Sequence, residues 1–361
     1  MKALSKINIG FVMPPIEGHR ARGTGTYYDN LLNYLMKDKR LSLREVRLGE
    51  PAFEFDLLHY PYFDPFFITM PLLGTVKKIP NIVTVHDMIP HKYPQYFRVG
   101  LRGLFKWSIQ KTSLQRAKAI ITDSGQSKTD IIKFTGIKSD KISVIPLAAS
   151  EVYKRINDRD LLVAPLKKYK LPQNFILHVG DLNYNKNIDG LLSAFSRFIM
   201  EYTDFHLILI GKGFIAPSAS LKLFLQKVKI LNLEKKVIRL SGLELNDLVA
   251  VYNLSRMYVQ PSFDEGFGLP VLEAFASGTP VISSKGGSLP EVAGNGALYF
   301  NPYNSDEILS AMKKVIMDYD LRKSLIEKGK IQLQKFSWEK TAEKTADLYF
   351  QVLNIRDYFY K

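Results

Sequence analysis

Apolar positions along this chain fall into short continuous runs that alternate with stretches of helical period. Residues 7–13 (INIGFVM) read as a buried strand closed by Pro14-Pro15. A helix pattern over 28–37 follows, with Leu31, Leu32 and Leu35 on its inner face. Similar apolar runs lie at 55–60, 81–90, 119–124 and 142–146, and the series restarts at 174–180, 206–213, 237–242, 257–262 and 280–284. Apolar runs without alternation are strands covered on both faces, and strands that alternate with helices build parallel sheets. Residues 148–173 break the rhythm: they are polar, contain Pro165 and Pro172, and read as a linker. The expectation is an α/β chain with two doubly wound Rossmann-like domains facing a central cleft. The first spans 1–150 and the second 174–337, joined by a linker over 151–173. The last part is amphipathic helix over 306–317, 321–336 and 337–353, with the final segment, about 338–361, expected to cross back to the first domain. Ser127 reads as the cap of a helix from Lys128.

Composition narrows the choice. At 361 residues and 46% hydrophobic content the chain can bury two cores. No apolar run approaches the roughly 18 residues of a spanning helix, and the N-terminus reads as a first strand rather than a leader. Cysteine is absent, and the six histidines show no HxH or HExxH spacing, so no metal site is expected. The net charge of +15 is uneven: residues 1–165 hold 25 Lys+Arg against 15 Asp+Glu, and the remainder 25 against 20. A basic first half attracts nucleic acid, an anionic membrane or phosphorylated substrates, or simply reflects a lysine-rich composition. No nucleic-acid-binding motif is present, so none is expected as a partner. Residues 97–119 form a basic helix with Leu101, Leu104, Phe105 and Ile109 on one face and Arg98, Arg102, Lys106, Lys111, Arg116 and Lys118 around it. It reads either as an attachment surface for anionic lipid or as a packed helix with a solvated basic side. The corresponding location is cytoplasmic, with peripheral contact at the inner face of the membrane.

Candidate chemistry concentrates in residues 263–281 (FDEGFGLPVLEAFASGTPV). Gly266 and Gly268 surround Phe267 in a loop, Pro270 suits the first turn of a helix, and Gly278 stops it. Glu265 and Glu273 bracket the loop-to-helix junction. A helix start beside glycines is an anion site, and carboxylates next to it accept hydrogen bonds from hydroxyls. Together these features suit a sugar nucleotide. Gly23 and Gly25 end a loop between the first strand and first helix, where a phosphate-binding turn and a plain tight turn are both open. His86 and Asp87 end an apolar strand, where ligands of open α/β sheets bind. Lys186 precedes another helix, where a cation adds to the helix dipole. Asp158-Arg-Asp160 and Asp318-Tyr-Asp320 have the spacing of a metal motif, but neither follows a strand, so both are set aside.

The Glu-x7-Glu spacing inside EGFGLPVLEAFASGTPVI, with the later GGSLPEV, resembles the signature of glycosyltransferase family 4, retaining enzymes of the GT-B fold. VGDLNYNKNIDGLLSAF and TVHDMIP resemble two further segments of that family, the second typical of its mannosyltransferase-like members. The resemblance implies a hexosyltransferase of polysaccharide or glycoconjugate synthesis that moves a hexose, mannose first, from a nucleotide sugar to a glycan or lipid-linked acceptor. No cofactor or metal is implied; the co-substrate is GDP-mannose, with a UDP-sugar second. It implies Glu265, His86 and Lys186 as catalytic candidates. For donor binding it implies Glu273, Gly266, Phe267, Gly268, Leu269, Gly23, Gly25, Gly211, Lys212 and Ser241. Asp87, Arg20 and Arg22 are the acceptor-side candidates. An Arg usually stands near the family's Lys; here those places hold Asn185 and Asp181. Other readings are a sugar-nucleotide epimerase or phosphorylase of the same fold, or a non-catalytic basic relative that binds RNA or membrane.

Overall fold

The computed structural model describes residues 6–14, 23–50, 54–71 and 79–355, and the chain divides into two compact units, 1–148 with 336–361, and 149–335. The first unit runs β1 (Ile7–Val12), α1 (Gly23–Leu35), β2 (Leu41–Val46), β3 (Leu57–Tyr60), β4 (Asn81–Thr84), α2 (Ile89–Lys92), α3 (Gly100–Arg116), β5 (Ala119–Thr122), α4 (Gly125–Thr135) and β6 (Ile142–Val144). Its parallel sheet has the order β2-β1-β3-β4-β5-β6. The central strands β3, β4 and β5 are buried along their whole length, which is why they read as unbroken apolar runs. The edge strand β2, LSLREV, exposes Ser42, Arg44 and Glu45, so no apolar run announced it.

Three local expectations need correction here. Helix α1 begins at Gly23, so Gly23 and Gly25 lie in its first turn rather than in a loop, while Arg20 and Arg22 fall outside the described residues. The cap of α4 is Ser124, not Ser127. Ser124 has extended backbone angles, and its hydroxyl accepts the Ser127 N–H at 3.0 Å. The face of α3 expected to pack carries Leu101, Leu104 and Phe105 in solvent; the buried side is Gly103, Gln110, Ser113 and Leu114.

The second unit runs α5 (Arg159–Lys168), β7 (Phe175–Val179), α6 (Ile188–Phe198), β8 (His206–Ile210), α7 (Ala219–Ile230), β9 (Val237–Leu240), α8 (Leu245–Leu254), β10 (Met257–Gln260), α9 (Leu269–Ala276), β11 (Val281–Ser284), α10 (Leu289–Ala293), β12 (Ala297–Phe300), α11 (Ser305–Met317) and α12 (Tyr319–Leu333). Its parallel sheet is ordered β12-β11-β10-β7-β8-β9. The chain builds outward from β7 to β9, then returns to the other side of β7 at β10. The loops after β7 and β10 therefore leave the sheet side by side at a topological switch point. The segment expected as linker contains α5. Asp158 caps it, and Asp247 on α8 holds its end by accepting from Lys168 Nζ and Tyr169 Oη at 2.7 Å each. Pro165 lies inside this helix, against the rule that proline ends one; bonds to α8 hold the end of the helix. Asp318 is likewise the cap of α12.

The last helix, α13 (Trp338–Val352), belongs to the first unit. Ser337 caps it, Thr341 donates to the Pro146 carbonyl at 2.7 Å, and Tyr349 bonds His59 Nδ1 at 2.7 Å. Trp338, Tyr349 and Phe350 are buried there.

Candidate functional site

At the β7/β10 switch point the two loops are stitched together by backbone and amide bonds. Phe263 N–H donates to the Asn185 carbonyl at 2.7 Å, Asn185 Nδ2 to the Asp264 carbonyl at 3.0 Å, and Asn187 Nδ2 to the Pro261 carbonyl at 3.1 Å. This brings Lys186 Nζ to 2.7 and 2.9 Å from the two carboxylate oxygens of Glu265. Gln260 Nε2, at 2.6 Å, and the Ser262 hydroxyl donate to the same Oε1. Among the described residues Oε2 accepts only from Lys186, so it retains capacity for a further donor. Lys186 keeps 16% side-chain exposure, against 8% for Glu265.

Residues 286–288 cradle this loop from below. Gly287 has φ +59, and a Cβ there would sit 2.3 Å from Asp264 Oδ1 and 2.4 Å from the Glu265 carbonyl. Ser288 Oγ donates to the carbonyls of Glu265 and Phe267 at 3.0 and 2.7 Å. Gly268, at φ +105, turns the chain into α9, whose first turn holds Leu269 and Pro270. Glu265, Gly266 and Phe267 thus lead directly into the helix N-terminus. Glu273 lies one turn further along, half-buried, and accepts from Tyr252 Oη at 2.7 Å and from Tyr153. Burial pushes its pKa up to about 7, with the two tyrosine hydrogen bonds offsetting part of the effect.

The positions where the family carries arginine have structural work in this chain. Asn185 is the loop latch described above, and Asp181 accepts the Gly213 N–H at 3.1 Å, tying the loop after β7 to the turn after β8. In that turn Gly211 approaches the Gly180 carbonyl so closely that a Cβ would lie 2.0 Å from it. Lys212 is exposed there. Ser241 follows β9, which β8 separates from β7, so it is not brought into the Lys186–Glu265 group. The pattern of apolar runs did not single out His178, which lies fully buried one residue before the end of β7. Its Nδ1–H donates to the Val259 carbonyl at 2.9 Å, its Nε2 has no partner among the described residues, and burial pulls its pKa down to about 4.

The first unit holds a second polar group. His86 follows β4 and bonds Asp123 Oδ2 through Nδ1 at 2.7 Å. Burial lowers its pKa, but the Asp123 charge and hydrogen bond, helped by Asp87, outweigh this and leave it raised. The Tyr27 ring stands edge-on to His86 at 4.7 Å, and Tyr27 Oη, Thr84 Oγ1, His59 and Tyr349 Oη form one buried chain of hydrogen bonds. Burial drives His59 down to about 3, so it is neutral. Asp87 uses Oδ1 to accept the Ile89 N–H at 2.9 Å. Asp123 and Gln260 were not anticipated; each is the polar residue that ends an apolar strand run, and that was the available signal. No group of three or more His, Asp or Glu among the described residues is placed to hold a metal.

Comparison with known proteins identifies the family. Residues 164–332 match the family model described as "Glycosyl transferases group 1", and residues 16–149 match "Glycosyltransferase Family 4". O-antigen chain mannosyltransferase B of Escherichia coli is 33% identical over 74% of this chain and 69% of its own length. O-antigen chain mannosyltransferase RfbU of Salmonella typhimurium is 36% identical over 68% of this chain and 62% of its length. The serotype-specific mannosyltransferase WbdA of E. coli is 30% identical over 80% of this chain, which spans about a third of it (35%). Among solved structures, sucrose-phosphate synthase of Thermosynechococcus elongatus superposes with a TM-score of 0.74 at 19% identity, over 97% of this chain and 100% of that one. WaaG, a glycosyltransferase involved in lipopolysaccharide biosynthesis, gives 0.69 at 15%, over 94% and 99%. These likenesses establish the two-domain Rossmann-like GT-B fold. The chain belongs to glycosyltransferase family 4, the group 1 glycosyltransferases, and is a hexosyltransferase.

Proposed function

We propose that this chain transfers mannose from GDP-mannose to a glycan or lipid-linked acceptor in polysaccharide biosynthesis, with retention at the anomeric carbon and without a metal. The mannosyltransferase names of its relatives support the sugar. The observation that carries the site assignment is the Lys186–Glu265 pair at the switch point, beside the N-terminus of α9 and one turn before Glu273.

The roles follow from charge and hydrogen-bond capacity. Departure of the nucleoside diphosphate puts negative charge on phosphate oxygens, and catalysis consists largely of stabilising it. Lys186 has one N–H left after its two bonds to Glu265, and that N–H serves the diphosphate together with the α9 N-terminus. Because Glu265 cancels the lysine charge, a further cation is needed, and Lys212 at the next strand end is the candidate. Glu273 accepts from the ribose hydroxyls, and Glu265 Oε2 from a hydroxyl of the transferred sugar. Three donors on Oε1 draw charge from the Glu265 carboxylate and make it a poor nucleophile. This favours attack by the acceptor on the face the diphosphate leaves, over a covalent glycosyl-enzyme. In the first unit His86, oriented by Asp123, serves the substrate as a hydrogen-bond donor. Asp87 serves the acceptor side. The acceptor is met at an anionic membrane surface.

A thermal-shift panel of GDP, GDP-mannose, UDP and UDP-glucose tests the donor assignment. Ligand that binds the folded state raises the midpoint as RT ln(1 + [L]/Kd). The guanosine ligands are expected to raise it and Glu273→Ala to abolish the rise. A rise with uridine ligands alone removes GDP-mannose, and no rise with any nucleotide removes the proposal.

A further inference from the structure

We propose that the outer face of α3, with the loop that carries Phe67, is the surface by which this protein docks on an anionic lipid bilayer. This names the membrane partner of the transferase and rests on the reading that its acceptor is met there. Leu101, Leu104 and Phe105 are 87%, 54% and 69% exposed. They stand three and four positions apart and so share one face of the helix. Gln110, on the buried side, accepts from Thr69 N–H, Thr69 Oγ1 and Met70 N–H at 3.0, 2.9 and 3.2 Å, which fastens the preceding loop along α3. That bond set holds Phe67, itself 50% exposed, beneath Lys106, whose ammonium lies 5.4 Å from the ring centroid.

Charge points the same way. Between Asp87 and Asp123 the chain has seven Lys or Arg and no Asp or Glu. Arg98 and Arg102 are exposed, and Lys106 is half-buried against Phe67. A large aliphatic and aromatic face with a cationic border matches a bilayer interface, where Leu and Phe enter the acyl boundary and Arg and Lys meet headgroup phosphates. A nucleic acid would use the cations but gains nothing from Leu101 and Leu104. Among the described residues no helix is long and apolar enough to cross a membrane, so the contact is peripheral there.

The test is cosedimentation of the full chain with vesicles of phosphatidylcholine alone or mixed with phosphatidylglycerol, with heparin retention as a soluble-polyanion control. Wild type is expected to bind the phosphatidylglycerol vesicles and not the neutral ones. Raising salt from about 0.1 to about 1 M, which shortens screening from about 10 to about 3 Å, should release it. Leu101→Ser and Phe105→Ser are each expected to weaken binding about tenfold, and Arg102→Gln or Lys106→Gln about fivefold. Leu101, Arg102 and Phe105 are exposed on α3 and Lys106 lies at the border of that face, and unchanged GDP-mannose binding by each variant confirms its fold. Binding that the serine variants leave intact, equal binding to both vesicle types, or heparin binding without vesicle binding overturns the proposal. Donor binding is read separately, so loss of vesicle binding with donor binding intact refutes the surface and not the transferase.

Discussion

Acidifying the protein from about pH 8 to about pH 6 takes Glu273 through its own titration, because burial has moved its pKa up to about 7. A ribose diol donates two hydrogen bonds, and the ionised carboxylate accepts both; the protonated acid does not. The ionised fraction drops from about nine-tenths to about one-tenth over that interval, so affinity for GDP-mannose is expected to weaken about tenfold, or about 1.4 kcal/mol. Calorimetry with GDP-mannose is the suitable assay, since its diphosphate diester does not titrate there. Tyr252→Phe removes a hydroxyl that stabilises the ionised form at 2.7 Å, and should move the midpoint upward by about one pH unit. Glu273→Gln should give weak, pH-independent binding. The stability effect runs in the opposite direction. The folded pKa lies above the ordinary value of 4.5, so the contribution of Glu273 is full below 4.5 and is lost as pH rises through about 7. The loss is at most about 3 kcal/mol, and the ligand-free Glu273→Gln protein should lack it. Wild-type affinity that is flat between about pH 6 and 8, or an unchanged slope in Glu273→Gln, refutes this assignment.

Three further outcomes are expected. Lys186→Ala leaves Glu265 with Gln260 and Ser262 alone, and should cost roughly 2–4 kcal/mol in denaturant unfolding while reducing transfer by far more than donor binding. Gly287→Ala places a Cβ in contact with Asp264 and Glu265 at a left-handed position. It should cost at least about 2 kcal/mol and weaken nucleotide binding in the thermal-shift assay. Asp123→Asn removes the charge that raises the His86 pKa, so the His86 titration followed by NMR should move to lower pH by about one unit or more.

The elements easiest to read from the sequence were those buried on both faces. β4, β5, β7 and β10 lack polar alternation and were visible as runs, whereas β2 alternates at a sheet edge and was missed. α5 was hidden by Pro165, because its support comes from Asp247 at a distance of many residues. In the site, Glu265 and Glu273 were read from their spacing and Lys186 from its place before a helix, but the Lys186–Glu265 pairing was not legible. It depends on β10 returning beside β7, a fact of topology rather than of local pattern. The same holds for Tyr252 and Tyr153 at Glu273 and for Asp123 at His86, whose partners come from separate elements. On α3 the periodicity grouped Leu101, Leu104 and Phe105 on one face, but only the structure shows that this face points to solvent.

The central claim is mannosyl transfer at the Lys186–Glu265 site. Its most direct test is incorporation of radiolabelled mannose from GDP-mannose into the lipid and polysaccharide fractions of acceptor membranes. Wild type is predicted to incorporate label, and Glu265→Ala, still folded by circular dichroism, is predicted not to. Label taken up from UDP-glucose but not from GDP-mannose, or equal incorporation by Glu265→Ala, would contradict the account.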